Sequence, residues 1–154
     1  QQSDEAAIAS IEGTVAAAAP GVPIARTVTV PTGLLSWSGT IESLDQLAAD
    51  EWFAFCAIGN SDAFFDSLRA SGCSLVGQHA FPDHHSFTRE ELSQLARDAR
   101  AAGANRLVCT HKDLVKVCSD RIDAIPVVAV LIETQFVAGE DAIKSLILKL
   151  NFEI

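Results

Sequence analysis

The sequence predicts an α/β fold: a Rossmann-like three-layer sandwich with a mainly parallel sheet, preceded by a connector of one helix and one strand. Three observations predict it. Residues 52–58 (WFAFCAI), 73–80 (CSLVGQHA), 106–109 (RLVC) and 126–132 (PVVAVLI) are apolar on both faces, as strands must be when helices cover both sides of a parallel sheet. The segments between them have helical spacing and boundary signals. Strand and helix therefore alternate, which is the rhythm of βαβ crossovers.

In chain order, residues 3–19 read as a helix with Ile8, Ile11 and Val15 at helical spacing, stopped by Ala19-Pro20-Gly21. Residues 22–30 (VPIARTVTV) alternate like a strand, and 31–40, rich in Pro, Gly and Ser, reads as a loop. The first 50 residues thus form the connector, and 51–154 the Rossmann-like domain. After the first apolar run, Asn60 is placed to cap a helix whose Phe64, Phe65 and Leu68 face one way, with Gly72 past its end. Thr88-Arg89-Glu90-Glu91 is a capping box leading into Leu92, Leu95, Ala96 and Ala99, and Gly103 closes that helix. A last helix is expected from about Glu140 to Leu150, with Ile143, Leu146, Ile147 and Leu150 inward.

Composition excludes several function classes. Eleven basic residues against twenty acidic ones give a formal charge of −9, and no Lys/Arg cluster interleaves with aromatics, so no nucleic acid is expected as partner. The longest apolar run, 125–132, is far short of the roughly 20 residues of a membrane span, and no basic-then-apolar signal segment opens the sequence. Cys56, Cys73, Cys109 and Cys118 lack the paired spacing of structural zinc and the density of a disulfide scaffold, which fits a reducing cytosol. The absence of any methionine suggests an excerpt from a longer protein.

Ligands of open parallel sheets sit beyond the carboxyl ends of the strands. Three polar loops fall on that edge: Gly59-Asn60-Ser61-Asp62, Phe81-Pro82-Asp83-His84-His85-Ser86-Phe87, and Thr110-His111-Lys112-Asp113. In the second, an imidazole can exchange a proton near neutrality and a neighbouring carboxylate can orient it. The same residues also make an ordinary polar turn, Asp83 bonding local amides and the two histidines facing water. A metal reading gathers His79, His84, His85, His111 and Asp83 around one ion, as in a metal-dependent phosphoesterase, but none of their spacings is diagnostic. In the third loop, free amides at a helix start and Lys112 suit an anion; the alternative is an N-cap threonine beside a solvated lysine. Gly59-Asn60 allows either close backbone approach to a ligand or a tight turn into a capped helix. The nearest approach to a P-loop, 72–79, lacks its lysine and hydroxyl residue and runs through an expected strand.

Taken in order and at this spacing, Pro31-Thr32-Gly33-Leu34, Ala54-Phe55-Cys56-Ala57-Ile58-Gly59-Asn60 with Phe64-Phe65, Phe81 to Thr88, Thr110-His111-Lys112-Asp113, and Ile132-Glu133 with Phe136 and Gly139-Glu140 resemble the carboxyl-terminal half of the tetraacyldisaccharide 4'-kinases. These are the lipid A 4'-kinases of Gram-negative bacteria, and the similarity covers nearly the whole sequence. The resemblance implies a P-loop kinase that moves the γ-phosphate of ATP to the 4'-hydroxyl of a lipid A precursor, with Mg2+, at the cytoplasmic face of the inner membrane. It implies that an amino-terminal half supplies the P-loop, the metal-binding acids and the membrane contact. No ATP, Mg2+ or other metal site is then expected in this chain, which is expected to be soluble and inactive alone. His84 matches the family's histidine that supports the catalytic base, with Asp83 beside it. Gly59, Asn60, Thr110, Lys112 and Asp113 match motifs near the substrate and nucleotide cleft. The family usually has Glu where His111 stands, and commonly Gly and Pro where Ala57 and Ser61 stand. A non-catalytic ligand- or partner-binding module of the same fold is the alternative.

Overall fold

The computed structural model describes residues 5–150. Its elements, in chain order, are α1 (Glu5–Ala18), β1 (Arg26–Leu35), β2 (Ile41–Glu42), α2 (Gln46–Ala49), β3 (Glu51–Cys56), α3 (Ser61–Ala70), β4 (Ser74–Ala80), α4 (Arg89–Ala101), β5 (Arg106–Thr110), α5 (His111–Val117), β6 (Arg121–Ile122), β7 (Ile125–Ala138) and α6 (Glu140–Leu150). The chain divides into two compact units. One comprises residues 31–132, and the other residues 1–30 with 133–154. β1 and β7 each contribute residues to both.

In the larger unit, period-two alternation sends side chains to two separate cores. Phe53 and Phe55 of β3, Leu107 and Cys109 of β5, and Val127 and Ala129 of β7 meet Leu95, Ala96 and Ala99 of α4 and Leu114 of α5. Trp52, Ala54 and Cys56, with Val108, Val128 and Val130, point the other way, against Phe65 and Leu68 of α3 and Leu47 of α2. That is the three-layer α/β sandwich the apolar runs predict. Leu34 and Leu47, from the stretch before residue 51, are fully buried in the same core as Trp52.

The sheet runs β2-β1-β7-β5-β3-β4, with β6 paired to β7. β3 pairs in parallel with β4 and with β5, and β5 in parallel with β7, while β1/β2 and β6/β7 are antiparallel. The chain leaves β3 toward β4 on one side and later returns to β5 on the other. The strand order therefore reverses between β3 and β5, and the loops after these two strands flank the crevice where open α/β sheets bind ligands.

Local signals set the helix starts. Asn60 accepts a hydrogen bond from the Ala63 amide at 3.2 Å, and Thr88 and Glu91 make both halves of a capping box at the start of α4. Two strands differ from expectation. β1 begins at Arg26 and continues to Leu35, into the first half of the stretch expected as loop, where β2 pairs with Leu34 and Leu35; β2 does not reach Pro31, whose missing amide costs no bond on that side. β7 runs on to Ala138, past the end of the apolar run, because extended backbone pairing does not require apolar side chains.

In the smaller unit, Arg26 grips Glu12 with two hydrogen bonds of 2.6 and 2.8 Å and reaches Glu5 at 3.3 Å. Gly139 has φ +77° and the carbonyl of Ile24 would lie 2.3 Å from any Cβ there, so only glycine fits. The expectation of an inward face on α6 fails: Leu146 and Ile147 are exposed. Amphipathic spacing decides which residues share a face and leaves open whether anything covers it. α1 likewise buries none of its residues. The side chain of Leu150 lies outside the described residues.

Gly77 of β4 faces the Phe53 ring, and a Cβ there would sit 2.6 Å from two ring carbons. The ring is packed in the α4 core and cannot swing freely, so Gly77→Ala is expected to cost ~1–3 kcal/mol by overpacking, read as a lower urea midpoint at unchanged slope. An unchanged midpoint would contradict this packing.

Candidate functional site

All three predicted loops lie at the carboxyl ends of their strands, β3, β4 and β5. The turn after β4 starts with the Phe81 amide on the Cys56 carbonyl at 2.8 Å, which keeps it beside the end of β3. His84 then takes φ +60°. For a residue with a Cβ this left-handed conformation costs about 1–2 kcal/mol, and local bonds hold it. The His84 amide donates to its neighbour's carboxylate, Asp83 Oδ1, at 2.9 Å and to the Ala57 carbonyl at 3.2 Å.

The Asp83 carboxylate lies over Gly59, where a Cβ would approach Oδ2 to 3.3 Å. Its Oδ2 stands 3.7 Å from His84 Nε2, and the His84 side chain is 72% exposed. An imidazole beside a carboxylate, projecting from a fixed turn into open space, can orient or exchange a proton with a group brought to it.

His85 faces the opposite way. Its ring stacks on Phe81 at 5.1 Å and 14°, and Nε2 lies 3.0 Å from both oxygens of Glu91. Glu91 also accepts from the Thr88 amide and hydroxyl at 2.8 and 2.9 Å. These donors, the Thr88 amide first and then His85, pull its carboxyl down to about 2. His85 thus belongs to the packing of the turn against α4, and His84 to its open side.

Beneath the rim lies Asp113, the buried charged residue of the core, with a fully covered side chain. Its Oδ2 accepts from the Ala57 amide at 3.0 Å and from the Thr110 hydroxyl at 2.7 Å, and its Oδ1 from Lys116 Nζ at 3.1 Å. Thr110 also caps α5, accepting from the Asp113 amide at 3.2 Å. Burial, with the Asp113 charge second, raises the Cys56 thiol to about 11 and lifts Cys109 well above the ordinary thiol range. Both stay protonated near neutrality and offer no thiolate nucleophile.

The predicted residues therefore separate into three groups. Asp83, His84 and Gly59 come together at the open rim. Thr110 and Asp113 meet beneath it, and Asn60 spends its side-chain oxygen on the α3 cap. Lys112 and His111 are exposed on α5, and among the described residues no hydrogen bond or ion pair joins Lys112 to the His84 turn. His79, His84, His85, His111 and Asp83 do not gather: among the described residues no three His, Cys, Asp or Glu side chains form a group able to hold a metal ion.

Lys116 is a rim residue that the sequence reading missed. Its Nζ donates to Asp113 Oδ1 at 3.1 Å and to the His85 carbonyl at 2.9 Å, and lies 5.5 Å from the Phe87 ring centroid. The available signal was its position one helical turn after Asp113.

The family model for tetraacyldisaccharide-1-P 4'-kinase matches residues 4–151. The chain belongs to the tetraacyldisaccharide-1-P 4'-kinase family. It is 41% identical over 108 residues to the tetraacyldisaccharide 4'-kinase of a Bradyrhizobium species, covering 69% of this chain and 31% of that protein. Against the enzyme of the same name from Methylorubrum populi it is 33% identical over 123 residues, covering 80% and 34%. The crystal structure of LpxK from Aquifex aeolicus in complex with ATP matches with a TM-score of 0.53 and 25% identity, over 80% of this chain and 35% of that one. The chain thus spans about a third of the length of these family members.

Because the Glu91 carboxyl is lower in the folded chain than its ordinary 4.5, its stabilising effect is complete above that value and fades as pH falls toward about 2. The melting temperature of Glu91→Gln is expected to lie below wild type at neutral pH, with the gap closing below pH 4.5. A gap independent of pH would contradict this coupling.

Proposed function

We propose that this chain is the part of a lipid A 4'-kinase that presents His84 to the base acting on the reacting hydroxyl. The reaction is transfer of the ATP γ-phosphate to the 4'-hydroxyl of tetraacyldisaccharide 1-phosphate. Family membership supports the reaction class, and one observation carries the role. His84 is an exposed imidazole beside the Asp83 carboxylate, held in a left-handed turn at the ligand-binding edge of the sheet.

In phosphoryl transfer, positioning and charge stabilisation do most of the work. His84 orients the base that takes the proton of the 4'-hydroxyl, and Asp83 fixes the imidazole. Gly59 and Asn60 shape the neighbouring loop, Thr110 and Asp113 hold the one opposite, and Lys112 faces substrate phosphate. ATP and Mg2+ are bound mainly by an amino-terminal P-loop domain of the same protein, and this chain alone does not turn over. The relatives' greater length supports that division. Mg2+ supplies charge neutralisation on the phosphates when bound.

No helix among the described residues is long and apolar enough to cross a membrane. Contact with the cytoplasmic face of the inner membrane, where the lipid substrate lies, is assigned to the amino-terminal domain.

In the intact enzyme, His84→Ala is expected to lower kcat by ~10²–10⁴ with the fold intact, the scale of a positioned acid or base group. Turnover near the wild-type rate by a well-folded variant would remove His84 from the mechanism.

A further inference from the structure

We infer that Lys116 is a positioning residue for the His84 turn, an inference that rests on the proposed role of His84. Five groups close a circuit around that turn. Asp113 Oδ2 accepts from the Ala57 amide at 3.0 Å, and the Ala57 carbonyl accepts from the His84 amide at 3.2 Å. One residue on, the His85 carbonyl accepts from Lys116 Nζ at 2.9 Å, and the same ammonium returns to Asp113 Oδ1 at 3.1 Å. The peptide that carries the His84 side chain is thus gripped on both sides, through Ala57 and through Lys116, by one buried carboxylate.

Lys116 is the member of this circuit that can be changed most cleanly. Its side chain is 23% exposed, whereas that of Asp113 is fully buried, so Lys116→Met keeps the aliphatic stem against the protein and deletes only the ammonium. Phe87 lies under the same cation at 5.5 Å and gives it a third anchor. The His84 imidazole itself makes no bond to Lys116 among the described residues. Lys116 acts on it through the backbone, by keeping the left-handed turn that aims the ring. A turn that relaxes toward commoner backbone angles moves the imidazole away from its target, and a displacement of about 1 Å can cost on the order of 10²-fold in rate.

The test is a kinetic cycle in the intact enzyme with Lys116→Met, His84→Ala and the double variant, together with deuterium uptake over residues 82–87. The expected result is a kcat lower by ~10²-fold in Lys116→Met with KM for ATP little changed. The substitution should add almost nothing when His84 is already Ala. Uptake over 82–87 should be faster in Lys116→Met. A general structural role would lower activity equally in both backgrounds, and that result overturns the inference, as does near wild-type turnover of Lys116→Met. Should His84→Ala itself prove silent, the proposed role of His84 fails. Uptake then decides the hold by itself: faster exchange over 82–87 supports it, and unchanged exchange overturns it.

Discussion

The Ala57 amide donates across 3.0 Å to the carboxylate of Asp113, and the loop architecture depends on this one contact. Taking a charge out of water is costly unless hydrogen bonds and a counter-charge replace the lost hydration. Asp113 obtains them from three places: the backbone just past β3, the Thr110 hydroxyl at the end of β5, and the Lys116 ammonium on α5. Thr110 and Lys116 lie three residues to either side of Asp113, so the Ala57 amide is the donor from a distant segment, and the carboxylate gains it only when the end of β3 converges on α5. Lys116 extends the constraint to the turn after β4 through the His85 carbonyl. The requirement to solvate one buried charge therefore fixes three loops at the edge where ligands approach.

This arrangement separates support from chemistry. Asp113, Thr110, His85 and Glu91 are occupied with each other or with neighbouring backbone and packing. His84 is left projecting outward, with Asp83 beside it and Gly59 underneath. The reversal of strand order between β3 and β5 puts the crevice at the same place. A phosphoryl-transfer enzyme depends on where its groups stand when substrate arrives, and a rigid support that presents an exposed imidazole suits such a task.

Much of the larger unit was legible in the sequence because its signals are local. Runs apolar on both faces mark the parallel strands, and Asn60 and the Thr88–Glu91 pair cap helices through neighbours three positions away. Other features depend on partners distant in sequence. That β1 continues through Pro31 follows from where β2 pairs, and the exposure of Leu146 and Ile147 from what does or does not lie against α6. At the rim, the family resemblance singled out His84 over His85, but its left-handed backbone was hidden because it is imposed by the Ala57 carbonyl and its own neighbour. Lys116 reads as an ordinary basic residue in the last turn of a short helix. Its meaning lies in a carbonyl thirty-one positions earlier.

The central claim is that Asp113 ties the three loops together, and Asp113→Asn tests it most directly. The substitution keeps size and shape while removing the charge, so its reach can be followed through backbone amide NMR resonances. The account predicts that Ala57, His84 and His85 shift together with Thr110 and Lys116, while amides at the far end of α4 stay in place. Shifts confined to residues 110–116, with Ala57 and the His84 turn unmoved, would contradict it.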